Sequence, residues 1–518
     1  MKNTTIRKIS ASVLISTVLL LSVMAKADDS PSTKIILSHE TTRISEPLND
    51  DGTVSYLAAL NEQYSKGVTA ENNAAILLLQ AAGPKILAPV IKDKVLSILG
   101  LSSLPSEGDY FISSREYAPH SKEMDQALEN ALDAPWSAND YPKLANWLKA
   151  NEKPLLLVIA ATNRPRYYIP MLSPHEPPRV HSGLVPGLQS WREMGNALAS
   201  RAMLKLDSGD IEGARAELLA VHRLARLVGQ GPTVIERLVS WAIEAQACRA
   251  NNGLATSGRL KASQAQAYLS DLQALAVLPG ILETMDKCQR FGLLDDTTSI
   301  YWTGYKDEFL ALLEMDPQRI RAFEADTKID LSKIDKEKAA QIPEMPVDWN
   351  EILRRINSWQ DRVVDAARKP TFAERMEAFD RISSELKALR NDSAKHMREL
   401  LLTEEKTNTT QTLGSLLIAM LFPDLSTAVP MYDVTTMKLQ ASQVAMALAA
   451  YRREHGSYPE SLAKLCPKYF KTVPEDFFTA KPLDYRRVKK GYVLYSPGPT
   501  KHKKFKNTLQ KIEITADK

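Results

Sequence analysis

The chain has 518 residues, 44% of them hydrophobic and 25% charged, with 66 Lys and Arg against 62 Asp and Glu and a net charge of +4. Such a length implies about two to four domains, and the hydrophobic share is enough to build real cores. So small a net charge supplies no global field for nucleic acid or other strongly acidic partners. Three cysteines, Cys248, Cys288 and Cys466, are too few for a disulfide framework. Two readings stay open for them: one bridge from Cys248 to Cys288 with Cys466 free, or three buried thiols.

The first 27 residues read as a cleavable secretory signal peptide. Lys2, Arg7 and Lys8 give a basic start, Ile9 to Met24 is largely apolar around Leu19-Leu20-Leu21, and Ala25-Lys26-Ala27 supplies small residues for the peptidase. The apolar run is about 16 residues, short of the roughly 20 that a spanning helix needs. Removing this segment takes away four basic residues and no acid, which leaves 62 of each sign. The expected compartment is periplasmic or extracellular, with no stable membrane span after cleavage.

Residues 28–52 are polar and read as an extended lead-in. Residues 53–315 read as a helical domain. Leu57, Leu60 and Tyr64 share one helix face, and Ala74 to Leu79 is apolar all round, as in a buried helix. Further helices are expected at 85–99, 121–132 and 138–150, and the apolar 154–162 reads as a helix in preference to a short strand. Asn163 to Pro186 contains six prolines and is expected to be a long loop. Helices follow at 191–205, 211–228, 233–251 and 263–277, with short connections that imply antiparallel hairpins. The turn Gly209-Asp210 followed by Gly213-Ala214 resembles a tetratricopeptide hairpin, but a single such unit argues for a generic αα-hairpin.

Residues 316–347 form a charged, proline-broken linker or excursion, and 348–429 a second helical region that Asp348 opens as N-cap. Two separate helices are expected at 371–389 and 393–405, followed by an apolar stretch, Leu413 to Phe422. Residues 430–500 change texture. A long helix, Met431 to Glu454, ends at Gly456. The alternating runs Leu483 to Val488 and Tyr492 to Ser496 then flank a short Gly-containing turn, as in a β-hairpin. Residues 501–518 read as a basic tail, with Lys501, Lys503, Lys504 and Lys506.

Four stretches of this last region carry a family resemblance. They are Ala449-Ala450-Tyr451-Arg452, His455-Gly456-Ser457-Tyr458-Pro459, Val473-Pro474-Glu475-Asp476-Phe477 and Gly491-Tyr492-Val493-Leu494-Tyr495-Ser496-Pro497-Gly498-Pro499. In order and spacing they resemble the major pseudopilin of type II secretion systems. The resemblance implies a long helix leading into a small antiparallel sheet. It covers under a sixth of the chain and lacks that family's N-terminal processing site and membrane helix. The family also binds calcium after its Ser-x-Gly-Pro. Here Thr500 to Lys504 follows, and lysines offer no oxygen ligand, so no calcium is expected there. The whole chain also resembles exported bacterial helical proteins that carry such a tail and have no assigned function.

The fold class expected is therefore mainly α: an array of antiparallel helices with a small C-terminal α+β module. No His-Glu-x-x-His, P-loop, nucleophile elbow or dinucleotide fingerprint occurs. No catalytic, cofactor-binding or metal-ligating residue is assigned. His175-Glu176 with His181 is the nearest approach to a cluster, set in the proline-rich loop. Arg164, Arg166, Tyr167 and Tyr168 either form a ligand-contacting edge or pack that loop on the helices. Asp295-Asp296 carries no catalytic weight on sequence grounds. The leading functional expectation is a non-enzymatic envelope scaffold or binding protein whose partner is an envelope protein or polymer. The second is an envelope hydrolase with its site between the helices and loop 163–186.

Overall fold

The computed structural model describes residues 34–175, 178–303, 346–402, 408–422, 428–489, 491–499 and 512–516. The signal segment, Glu176, almost all of the charged linker, the lysine-bearing part of the tail and the loop from Thr500 lie outside the described residues. The protein is mainly helical, with a small antiparallel sheet near the C-terminus. Among the described residues no helix is long and apolar enough to cross a membrane.

The helices, in chain order, are α1 Tyr56–Ser65, α2 Ala74–Ala82, α3 Pro89–Ile98, α4 Ser114–Tyr117, α5 Lys122–Asn130, α6 Pro142–Ala150 and α7 Glu152–Ala161. Then come α8 Leu188–Asp207, α9 Ile211–Val228, α10 Val234–Thr256 and α11 Ala262–Gln273. Helix α12 runs in three pieces: Leu282–Thr284, a π-helical turn Met285–Gln289, and Arg290–Thr303. The set closes with α13 Trp349–Arg368, α14 Phe372–Leu402, α15 Thr409–Leu421 and α16 Val429–His455. Caps visible in the sequence fix several borders. Asp348 accepts from Glu351 N, Asp210 from Gly213 N, and Thr233 forms a capping box with Glu236. Gly456 stands in the left-handed region at φ +77° and stops α16.

Two compact units divide the chain. One comprises Met1–Leu60, Ser173–Gly183 and Leu282–Ser426; the other comprises Asn61–Leu172, Leu184–Ile281 and Thr427–Lys518. In the second, α8, α9 and α10 pack on one another, and α16 packs against α10 and α11. Trp191, Met194, Val221, Leu224, Ile243 and Val444 are almost fully buried there. A two-stranded sheet pairs β1 Glu475–Asp476 with β2 Lys481–Pro482, and a separate three-stranded sheet includes β3 Asp484–Arg487 paired with β4 Tyr492–Ser496 as the hairpin expected. The tail adds a strand that its lysines had obscured. β5 Ile512–Ala516 pairs antiparallel with β4, Ile514 opposite Leu494, with Ile514 and Ala516 buried and Thr515 exposed between them.

In the first unit α13, α14 and α15 pack together. α14 is one continuous helix where two were expected. Asn391-Asp392 is polar but brings neither Pro nor Gly, so interrupting the helix gains nothing. The π turn in α12 disturbs the regular ladder, and Gln360 of α13 donates to the Met285 carbonyl at 2.6 Å. Arg290, fully buried, bonds Asp286 and Asp361 at 2.7 Å each and the Asn357 side chain at 3.1 Å. All three cysteines are free thiols, Cys248 and Cys288 buried and Cys466 half-buried.

The proline-rich loop is held by side-chain amides. Asn73 donates to Tyr168 O at 2.8 Å and accepts from Tyr168 N at 3.0 Å; Asn61 does the same for Met171, at 2.8 and 2.9 Å. Gln230 accepts from Tyr167 N and donates to Pro165 O, both at 3.0 Å. Tyr167 and Tyr168 are buried, and Arg164 and Arg166 donate to backbone carbonyls of residues 66–73, so this part of the loop packs on the helices. Asn73→Ala leaves a buried N–H and C=O without partners and is expected to lower the unfolding free energy by about 2 kcal/mol or more, read from the denaturant midpoint. An unchanged midpoint would show that the clamp contributes nothing.

Candidate functional site

Among the buried ionisable residues of α9, His222 and Arg226 stand one turn apart, where aliphatic residues are the norm. They meet Glu244 and Asn251 of α10 and Tyr268 of α11, and together these residues form a closed chain of bonds. Tyr268 Oη donates to Asn251 Oδ1 at 2.6 Å, and Asn251 Nδ2 lies 2.8 Å from His222 Nε2. With that sense of donation Nε2 accepts, so Nδ1 carries the proton that reaches Glu244 Oε2 at 2.9 Å. Arg226 Nη1 donates to the same oxygen at 2.9 Å and to His222 O at 2.8 Å, while its Nε donates to Ala276 O at 2.6 Å. Burial alone would raise the Glu244 pKa, but His222 and Arg226 outweigh it and hold the carboxyl below its ordinary range. Burial pushes the Cys248 thiol and the Tyr268 hydroxyl well up, so neither is an anion at neutral pH.

A groove with a cavity of about 440 Å³ opens beside this network. Its walls come from the segment after α11, from α16 and from residues 470–474. Leu275, Val277, Leu439, Phe470 and Pro474 give it an apolar lining, with Arg226 at the edge of the network and Lys471 as a second cation. Glutamine amides tie the walls together. Gln273 donates to Tyr469 O at 3.1 Å, Gln440 to Glu475 O at 2.7 Å and Gln443 to Leu272 O at 3.1 Å. Val277 is 82% exposed, the most exposed large hydrophobic side chain among the described residues.

The histidines singled out in the proline-rich loop go separate ways. His175 is exposed, its backbone N–H bonded to Ser173 Oγ at 3.0 Å; Glu176 is outside the described residues. His181 turns to α12 and pairs with Asp296 at 2.5 Å, and Asp295 accepts from Val180 N at 2.7 Å. The acidic pair given no weight on sequence grounds is thus the partner of the one loop histidine that forms a site. Among the described residues no group of three or more His, Cys, Asp or Glu is arranged to hold a metal ion.

Sequence reasoning missed the His222–Glu244 network, although a signal existed: polar residues at core positions of two strongly helical segments. No protein-family model matches this chain, and neither a curated protein nor a solved structure matches it.

Removing one member of the buried pair strands the other. Arg226→Met is expected to cost about 3–5 kcal/mol of stability at neutral pH, measured by chemical denaturation. The Glu244 pKa is lowered on folding, so its contribution is present above the ordinary carboxylate range and is lost as pH falls through the lowered value. The stability gap between wild type and Glu244→Gln should accordingly be constant near neutrality and shrink in acid. A gap that instead widens in acid would contradict the assignment.

Proposed function

We propose that this chain is an exported, non-enzymatic binding protein of the cell envelope. On this reading the groove between α11, α16 and residues 470–474 receives an apolar portion of an envelope protein or polymer. The observation that carries the reading is how the charged groups beside the groove are used. Arg226 is engaged by Glu244, by the His222 carbonyl and by the Ala276 carbonyl, and the glutamine amides by the walls, which leaves a mainly apolar lining with Lys471 to face a ligand. Such a surface suits recognition by area and shape. A closed ionic network beneath it suits a rigid floor more than proton transfer.

Two sequence features support the setting. The N-terminal 27 residues have the make-up of an export signal. The helix, Gly-x-Tyr-Pro turn and Tyr-Ser-x-Gly strand of 430–500 resemble the major pseudopilin, a family that works at the envelope. Here α16 is built into the packing of α10 and α11, which favours a docked module over a fibre subunit. The alternative, an envelope hydrolase using the proline-rich loop, would rest on His175, Glu176 and His181. His175 is exposed, and His181 is bonded to Asp296 of α12.

Two measurements test the reading. Chain recovered from a bacterial envelope fraction should begin at Asp28 by mass spectrometry; an intact N-terminus there would remove the export argument. A photo-crosslinking residue at Val277 should capture an envelope component in cells, whereas the same residue at Leu156 of α7, exposed but away from the groove, should not. Equal labelling from both positions would sink the groove as a binding site.

A further inference from the structure

Residues 178–183 lie along α12 and are gripped at two adjacent points by two adjacent acids. Val180, itself buried, donates its backbone N–H to Asp295 Oδ2 at 2.7 Å. The next side chain, His181, presents Nδ1 to Asp296 Oδ2 at 2.5 Å. The imidazole rests on bare backbone: a Cβ at Gly292 would stand 2.5 Å from His181 Nε2, so only glycine lets the ring lie there. Within the segment, Ser182 donates to Arg179 O at 3.1 Å, and the Ser173 and Ser182 hydroxyls meet at 2.7 Å. We propose that residues 178–183 form a proton-operated clip, seated on α12 in mildly acidic surroundings and released as the surroundings turn alkaline.

The charged and titratable groups that face this contact are Asp295 and Asp296 of α12, Arg179 and His181 of the segment, and Tyr56 of α1. Burial is the main influence on Asp295. With the charge of Asp296 it overcomes the Val180 N–H, Arg179 and His181 and lifts the carboxyl to about 7. Burial works against a charged His181, but the charge and hydrogen bond of Asp296, with Asp295 behind them, raise it above the ordinary imidazole value. Tyr56 is raised well up by burial and then by Asp295, and stays neutral throughout.

Both active groups therefore hold protons more tightly in the seated form than in the released one. For Asp295 the preference for the seated form is complete below the ordinary carboxylate range and is lost as pH rises through about 7. For His181 it is present below the ordinary imidazole value and is lost as pH rises through the raised one. The two act in the same direction. On the alkaline side a buried carboxylate faces a second one, and the imidazolium that separated their charge is gone.

The Arg179–Val180 bond is a trypsin site, and the N–H of that bond is the one Asp295 holds. Its cleavage rate in the full chain, divided by the rate for a free peptide of residues 173–186 at the same pH, reports release. That ratio is expected to rise about tenfold or more from about pH 5.5 to about pH 8.5 in the wild type. Asp295→Asn keeps an oxygen for the Val180 N–H but has no proton to lose; it should be cut slowly at both pH values, with only the smaller rise that His181 supplies. Gly292→Ala, which lifts the ring, should be cut quickly at both. A wild-type ratio that is flat with pH, or an unchanged rise in Asp295→Asn, overturns the proposal. Should Gly292→Ala fail to fold by circular dichroism, the first two proteins decide it alone. The imidazole ring-proton signal that disappears in His181→Gln gives a second reading. It should titrate above the free-histidine value in the wild type, and titration at or below that value also overturns the proposal.

Discussion

Extended backbone is costly to bury, because every residue brings a donor and an acceptor that must find partners. This protein has little sheet and much non-helical chain, and it meets the requirement with carboxamides. Asn73 and Asn61 each bind the N–H and the C=O of a single loop residue, as a neighbouring strand would. Asn151 does so for Ile112, with bonds of 2.8 and 3.1 Å. In the other unit Asn350 accepts from Ile36 N and donates to Lys34 O, and Asn357 donates to the carbonyls of Glu40 and Thr41. A side-chain amide is a peptide group on a short stem. It lets a helix pair with an extended segment without a strand beside it. The lead-in from residue 34 and the first part of the proline-rich loop, up to Met171, are held by this one device.

The buried network of α9, α10 and α11 obeys the same rule with ions in place of amides. A charge in a helical core is tolerated only when it is paired and its remaining valences are filled. Glu244 has Arg226 and His222; His222 has Asn251; Asn251 has Tyr268. Because Arg226 also holds the Ala276 carbonyl, the network fixes the chain leaving α11, and that chain forms one wall of the groove. The glutamines of α11 and α16 then hold the opposite walls in place. The groove is thus a consequence of how a polar core is closed.

The proton-sensitive contact on α12 differs in one physical respect. Glu244 is buried with two partners of matching chemistry, and its carboxyl is held ionised. Asp295 is buried with a backbone N–H and a second acid close by, and its carboxyl is pushed the other way. The same residue class has opposite proton affinity in the two places because the neighbours differ. An acidic pair such as Asp295-Asp296, common on helical surfaces, therefore carries no functional meaning until its surroundings are known.

Local features were legible in the residues alone. The span of α9, the Asp348 and Thr233 caps, the Gly456 stop and the hairpin around Gly491 follow from short-range sterics and period, which a sequence displays directly. The fusion of two expected helices into α14 and the strand Ile512–Ala516 were not legible. The first turned on a weak propensity and the second on a partner strand. The residues of the candidate sites were half visible. His181 stood out as a loop histidine, but its partner Asp296 is 115 positions away, and His222 meets Glu244 across 22. The sequence by itself determined the broadly helical segments, the stops marked by caps and by Gly456, and how the charges are apportioned. Only the tertiary structure decided which polar groups meet, because a hydrogen bond between distant residues depends on how whole helices pack and leaves no mark in local spacing.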